Sequence, residues 1–284
     1  MHDDIMQEKV KQYDIVKCVD GIQKRKPDNI VIEEPLEIRV VTGPPDNRKG
    51  KGLSITMRTP GNDFELAPGF LFSEGIIHKK SDIESMEFCG PIDEDSQRQN
   101  TLRIHLSSEL VFDPSQLQRH FYTTSSCGVC GKASLDALRN SNLNVVESEV
   151  QLSSQLICEL PDRLLESQRV FSETGALHAV GLFSSDSELI SVREDVGRHN
   201  AMDKVLGHQF LQDKTDLREN IVVVSGRASF ELLQKSTSAQ IPIFVAVGAP
   251  SSLAVDLANQ FGVTLIGFAS NGRFNIYSHA QRVV

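Results

Sequence analysis

The chain has 284 residues, 39% hydrophobic and 24% charged, a balance that suits a folded globular protein and excludes a disordered one. Its 29 basic and 38 acidic residues leave a net charge of −9, which excludes broad nucleic-acid binding, because that depends on neutralising phosphates with Lys and Arg. The apolar runs are too short for a membrane span and residues 1–17 lack the pattern of a secretory leader, so a cytoplasmic protein without membrane insertion is expected.

In chain order, residues 30–41 and 53–60 read as strands around a Gly-Pro-Pro-Asp turn, and 65–77 as a helix with Leu66, Phe70 and Ile77 on one face. Two further strands are expected at 83–89 and 101–107. A connecting region follows, with a helix from about Lys132. Beyond Pro161 the pattern alternates. Helices are expected at 161–173, 198–211, 230–239 and 252–260, and strands at 176–183, 188–193, 221–224, 243–247 and 264–268. The runs Ile-Val-Val-Val and Ile-Phe-Val-Ala-Val are apolar on both faces, as in a sheet covered by helices on both sides. The expected fold class is α/β, with a β-rich, mainly antiparallel N-terminal domain (1–112), a connecting segment (113–154) and a C-terminal α/β/α sandwich (155–284).

Five cysteines do not make a secreted disulfide framework, and only Cys127 and Cys130 are close in sequence. Cys18, Cys89 and Cys158 are expected to be small buried hydrophobes. In Cys127-Gly-Val-Cys130-Gly the glycines leave the sulfurs uncovered, and a helix start at Lys132 would favour a thiolate. A half zinc site, a thioredoxin-like redox pair and two ordinary buried cysteines are the competing readings. The first lacks a second ligand pair, the second lacks the βαβ context, and the preceding Ser/Thr run opposes the third.

A second dense segment, residues 192–204, carries Asp195, Arg198, His199, Asn200, Asp203 and Lys204 across a strand-to-helix turn, where open α/β sheets place ligands. A solvated helix start capped by Asp195 is an equal reading. Ser225-Gly226-Arg227 and the turn opening at Gly248 suit phosphate oxygens, and the loop Phe268-Ala269-Ser270-Asn271-Gly272-Arg273 adds a guanidinium. An anionic, nucleotide-like ligand would suit this edge. His178, in mid-strand, is kept as a neighbour of the site.

Taken in series, Glu34-Pro-Leu-Glu-Ile, Met57-Arg-Thr-Pro-Gly-Asn, Gly69-Phe-Leu-Phe-Ser-Glu-Gly, Ser126-Cys-Gly-Val-Cys-Gly, Arg193-Glu-Asp-Val-Gly-Arg-His-Asn-Ala and Ser225-Gly-Arg resemble the formate dehydrogenase accessory proteins of the FdhD family. The resemblance implies a sulfur carrier. A cysteine desulfurase would load sulfane sulfur onto Cys127 as a persulfide, with Cys130 as relay. The carrier would pass it to the molybdenum (or tungsten) bis-guanine-dinucleotide cofactor of formate dehydrogenase. Spacing alone does not separate the roles of the two thiols. The resemblance also implies that 268–273 holds the cofactor, in agreement with the anion-suited turns at Ser225, Gly226, Arg227 and Gly248. With His199 of the dense segment, these are the further expected cofactor-binding residues, and no metal on the protein's own side chains is expected. The resemblance, together with exposed apolar stretches, implies a homodimer. The C-terminal order further resembles the cytidine-deaminase fold, but His199-Asn-Ala and Ser225-Gly-Arg-Ala-Ser stand where that fold carries its glutamate and zinc thiols. The alternative is a chaperone that cradles the cofactor or apo-enzyme without carrying sulfur.

Overall fold

The computed structural model describes residues 9–110 and 143–284. Cys127, Cys130 and the helix expected from Lys132 lie outside the described residues. The chain opens on a hairpin of β1 (Val10–Val19) and β2 (Ile22–Val31). Next come β3 (Glu34–Thr42), β4 (Lys49–Arg58), α1 (Asp63–Ser73), β5 (Ile83–Ile92) and β6 (Gln99–Leu106). They build a four-stranded sheet in the order β4-β3-β6-β5, antiparallel except for the parallel pair β3–β6.

The C-terminal part comprises α2 (Ser154–Glu166), α3 (Arg169–Thr174), β7 (His178–Ser184), β8 (Leu189–Asp195), α4 (Arg198–Leu211), β9 (Asn220–Val224), α5 (Phe230–Ser238), β10 (Ile243–Ala246), α6 (Ser252–Phe261), β11 (Thr264–Ser270) and β12 (Arg273–Ile276). Its six-stranded sheet runs β12-β11-β10-β9-β7-β8, with β9, β10 and β11 parallel and the other pairings antiparallel. Side chains alternate across a strand. Val222, Val224 and Phe244 therefore face α4–α6, while Ile221, Val223 and Ile243 meet Ile157, Leu160 and Leu164 of α2. The first of these cores also takes in Leu36, Ile38, Leu102 and Ile104 of the small sheet, so one apolar cluster joins both halves of the chain. Among the described residues no helix is long and apolar enough to cross a membrane.

Several elements differ from expectation. The helix expected over 161–173 is two helices. The first begins earlier, where the Ser153 hydroxyl accepts from the Leu156 amide, and it tolerates Pro161 in its interior. The hairpin and β12 were not foreseen; each turns on a two-residue loop with positive φ, Asp20-Gly21 and Asn271-Gly272, the sequence mark of a tight hairpin. Cys18 is exposed and Cys89 and Cys158 are half-buried, a correction to their expected burial. Cys18 rides on the hairpin, whose faces lie mostly in solvent.

The halves meet at a crossing of α1 and α4 tight enough to exclude any side chain. A Cβ on Gly69 would lie 1.8 Å from the Asp203 carbonyl oxygen, and one on Gly207 would lie 1.8 Å from that of Glu65. Alanine favours a helix over glycine by about 1 kcal/mol. Here the overlap falls on backbone and has no side chain to yield. Gly69→Ala is expected to cost about 3 kcal/mol or more net, read as a lower denaturation midpoint. An unchanged or raised midpoint would contradict the crossing.

Candidate functional site

Because β9, β10 and β11 are parallel, the turns that follow them open on one edge of the sheet, where open α/β sheets bind ligands. The three turns are cross-tied. The Gly248 amide donates to the Gly226 carbonyl (2.9 Å), Ala228 to Ala249 (3.2 Å), Ser251 to Ala228 (3.0 Å) and Phe268 to Gly248 (3.1 Å). Gly248 packs closely here, since a Cβ there would sit a tight 3.1 Å from the Arg227 backbone. Ser229 and Ser251 cap α5 and α6 by accepting from the Leu232 and Ala254 amides.

The structure thus brings together the sequence-predicted residues Ser225, Gly226, Arg227, Gly248 and 268–273 on this edge. They do not play equal parts. The Ser225 hydroxyl accepts from the Ala179 amide (2.9 Å) and ties the turn to β7. Ala269 is fully buried against the α2 layer, so its side chain faces away from the edge. The four cross-tying amides are already committed, and Arg227 and Arg273 are the exposed cationic side chains on these turns. Phe268 is held exposed in the left-handed region (φ 55°), beside a bulge between Gly267 and Ser270. A bulky side chain in that conformation is strained, and such strain gathers at ligand sites.

His199 stands at the start of α4, its Nε2 3.3 Å from the Ser229 hydroxyl and 3.8 Å from Glu231 Oε2. Both neighbours approach the same ring nitrogen, so no Ser–His–Glu relay exists here. Burial, then the charges of Arg198 and Lys235, pull the His199 pKa down to about 4. His178 is lowered for the same first two reasons, burial and Arg198. The edge therefore carries its positive charge on guanidinium groups.

The dense segment 192–204 serves largely as a clamp. Asp195 and Lys204, both fully buried, pair at 2.6 Å. They grip Thr59 from both sides, its amide donating to Asp195 (3.2 Å) and its carbonyl accepting from Lys204 (2.9 Å). Asn200 donates to the Met57 carbonyl (2.8 Å) and to Asp195 Oδ1 (3.0 Å). Asp195 is not the helix cap: Gly197 takes that position without a side-chain bond.

Sequence reasoning missed a cavity of about 320 Å³ between β3, β4, α1, α4 and α5, lined by Ile55, Phe70, Glu74, Asp203, Glu231 and Lys235, with His199 at its wall. Lys235 reaches Asp203 and the Ser73 hydroxyl, both at 2.8 Å. Burial pushes the Asp203 carboxyl up against the pull of Lys235. Burial of Lys235 itself is outweighed by Asp203 and Glu74, which hold its ammonium charged. The available signal was a lysine on the apolar face of α5, one turn after Leu232. Among the described residues no group of three His, Cys, Asp or Glu side chains is placed to share a metal ion.

The His199 shift has a readable consequence. Its unfolded value is 6.5 and its folded value about 4, so between these the unfolded chain binds more protons. The contribution to stability is present above pH 6.5 and is lost as pH falls toward 4. His199→Gln should lose less melting temperature than the parent across that window. Equal losses would contradict the assignment.

A family model described as the FdhD/NarQ family matches residues 31–284. "Sulfur carrier protein FdhD" of Streptomyces coelicolor is 47% identical over 272 residues, covering 95% of this chain and 94% of that protein. The protein of the same name from Saccharolobus solfataricus is 38% identical, covering 97% and 98%. A crystal structure titled as a formate dehydrogenase accessory protein from Desulfotalea psychrophila shares the fold with a TM-score of 0.72 at 23% identity, covering 97% of this chain and all of that one. With the family model spanning nearly the whole chain and relatives this similar end to end, the chain belongs to the FdhD/NarQ family.

Proposed function

We propose that this chain is a cytoplasmic sulfur carrier serving a formate dehydrogenase. The observation that carries the reading is its 47% identity, over 95% of its length, to a curated sulfur carrier, together with the Cys127-Gly-Val-Cys130 pair in its sequence. In the first step a thiolate, Cys127 in our reading, attacks the sulfane sulfur of a cysteine desulfurase persulfide. The desulfurase S–S bond breaks, its thiolate leaves, and a new S–S bond forms on the carrier with no net redox change. Cys130 acts as relay.

The cargo's acceptor is the molybdenum (or tungsten) bis-guanine-dinucleotide cofactor, bound as a client at the edge of the six-stranded sheet. Support for this placement comes from the chemistry of the edge: Arg227 and Arg273 exposed for phosphate, serine-capped helix starts, and the strained Phe268. We also assign the six-stranded sheet and its helices to the cytidine-deaminase-like architecture. His199 and Ser229 stand at the helix starts where that architecture carries its zinc machinery.

Replacing both Cys127 and Cys130 with Ala should abolish activation of formate dehydrogenase while leaving the melting temperature unchanged. Activation by the double variant would favour the alternative, a chaperone that holds cofactor or apo-enzyme without carrying sulfur. At the edge, Arg227→Ala and Arg273→Ala should each weaken binding of a guanine nucleotide about tenfold, the scale of one charge-assisted hydrogen bond. Unaltered binding in both would remove the edge from the site.

A further inference from the structure

Strand β8 lies antiparallel to β7, and β7 antiparallel to β9, so β8 runs parallel to β9 and its C-terminal end opens on the same edge as the three turns. Helix α4 begins there. Its N-cap, Gly197, makes no side-chain bond, and the amides of Arg198, His199 and Asn200 meet no acceptor among the described residues. A free first turn on a 14-residue helix carries partial positive charge, which water can satisfy as well as a ligand.

The side chain of Arg198 adds what the helix start lacks. Its guanidinium makes no hydrogen bond or ion pair among the described residues, and its Nε is closed off from solvent without a partner. The two terminal nitrogens still reach solvent. Buried polar atoms nearly always find partners, and each exception needs a cause. The other such atoms among the described residues belong to neutral Ser and Gln side chains, so Arg198 is the one charged group of the described residues left in this condition. Its charge acts on His178, His199 and Glu231 together, which sets it between β7, α4 and α5 on the open edge. His178 in turn lies on the turn after β9, its Nδ1 3.4 Å from the position of a Cβ on Gly226. Two carboxylates stand nearby and neither neutralises Arg198. Asp195 is spent on Lys204, Asn200 and the amides of Thr59 and Gly197. Glu231 turns to His199, 3.8 Å from its Nε2.

We propose that Arg198 and the first-turn amides of α4 form a seat for a phosphate or diphosphate group, the inner of two layers of positive charge on this edge. The seat rests on the reading of the edge as a nucleotide site, and it gives that site its strongest phosphate contact. Arg227 and Arg273 are exposed, so solvent and salt screen their charge, whereas a partly buried guanidinium is screened much less. Its planar fork can meet two phosphate oxygens at once. The desolvation of Arg198 is incurred in the free protein, so a bound oxyanion relieves that cost instead of adding to it. The same feature separates Arg198 from a structural arginine: with no bond to lose, its removal does not loosen the fold.

Calorimetric binding of guanosine diphosphate, guanosine and inorganic pyrophosphate to the full chain tests the seat, on wild type, Arg198→Met and Arg198→Lys. Arg198→Met should weaken guanosine diphosphate and pyrophosphate about a hundredfold, the upper scale of a hydrogen bond to a charged group, against about tenfold for either exposed arginine. Guanosine binding should stay as in the wild type, and the melting temperature should be unchanged or higher. Arg198→Lys keeps the charge but loses the fork, and should be about tenfold weaker than wild type. An Arg198→Met protein that binds guanosine diphosphate like the wild type would overturn the seat while the edge stands. So would a loss of guanosine binding equal to that of the diphosphate, or a lowered melting temperature, since either makes Arg198 structural. Guanosine diphosphate bound no more tightly than pyrophosphate, with both lost in Arg198→Met, would keep the seat for a free oxyanion and contradict the nucleotide reading alone. A wild type that binds none of the three would overturn both.

Discussion

The backbone contact between α1 and α4 is the constraint on which the rest of the molecule depends. Gly69 and Gly207 let the two helices approach until each glycine lies against the other helix's main chain, and no larger residue fits either place. That approach sets the small sheet close enough to the large one for a single apolar cluster to run through both. It also sets the depth at which Asp203 meets Ser73 (3.0 Å) and at which Glu65 meets Arg193 and His208. A side chain in the crossing would loosen the Asp203–Ser73 and Glu65–His208 contacts together, because both join the same two helices, whereas Arg193 reaches Glu65 from β8.

Buried charge then fixes what close packing permits. Asp195, Lys204, Arg58 and Asp63 are nearly or fully excluded from water, and each finds an opposite charge: Lys204 on Asp195, and Arg58 on both Asp63 (2.9 Å) and Glu34 (3.3 Å). Such pairs contribute little net stability against an apolar substitute, but removing one member strands the other at a cost of about 3–5 kcal/mol. Their effect here is positional. Asp195 and Lys204 hold Thr59, and Asn200 holds Met57, so the end of β4 and its turn are locked to the start of α4. The candidate edge, with His199 next to Asn200 of this clamp, inherits a fixed position relative to the small sheet.

The C-terminal half was legible because its central strands are apolar on both faces and short. Runs such as Ile221–Val224 have no other stable environment in water than a covered sheet. The three turns on one edge followed from the alternation of helix and strand, and Gly226, Gly248 and Arg227 lie where that reasoning set them. The first hairpin was not legible by the same test, because neither face of β1 is apolar enough to show alternation. Its only mark was Asp20-Gly21. The polar segment 192–204 shows the opposite limit. Its density suggested a ligand, yet Asp195, Asn200 and Lys204 spend their bonds on residues 57–59, well over a hundred positions away. Partners at that separation leave no local trace. The cavity beside Lys235 was hidden for the same reason, since its walls come from five separate elements, β3, β4, α1, α4 and α5.

The most direct test of the account is the intact mass of the protein after incubation with a cysteine desulfurase and cysteine, for wild type, Cys127→Ala and Cys130→Ala. A carrier predicts a reductant-labile gain of one or more sulfur atoms in the wild type and its loss in Cys127→Ala. No gain in any of the three, with folding and nucleotide binding intact, would contradict the carrier role.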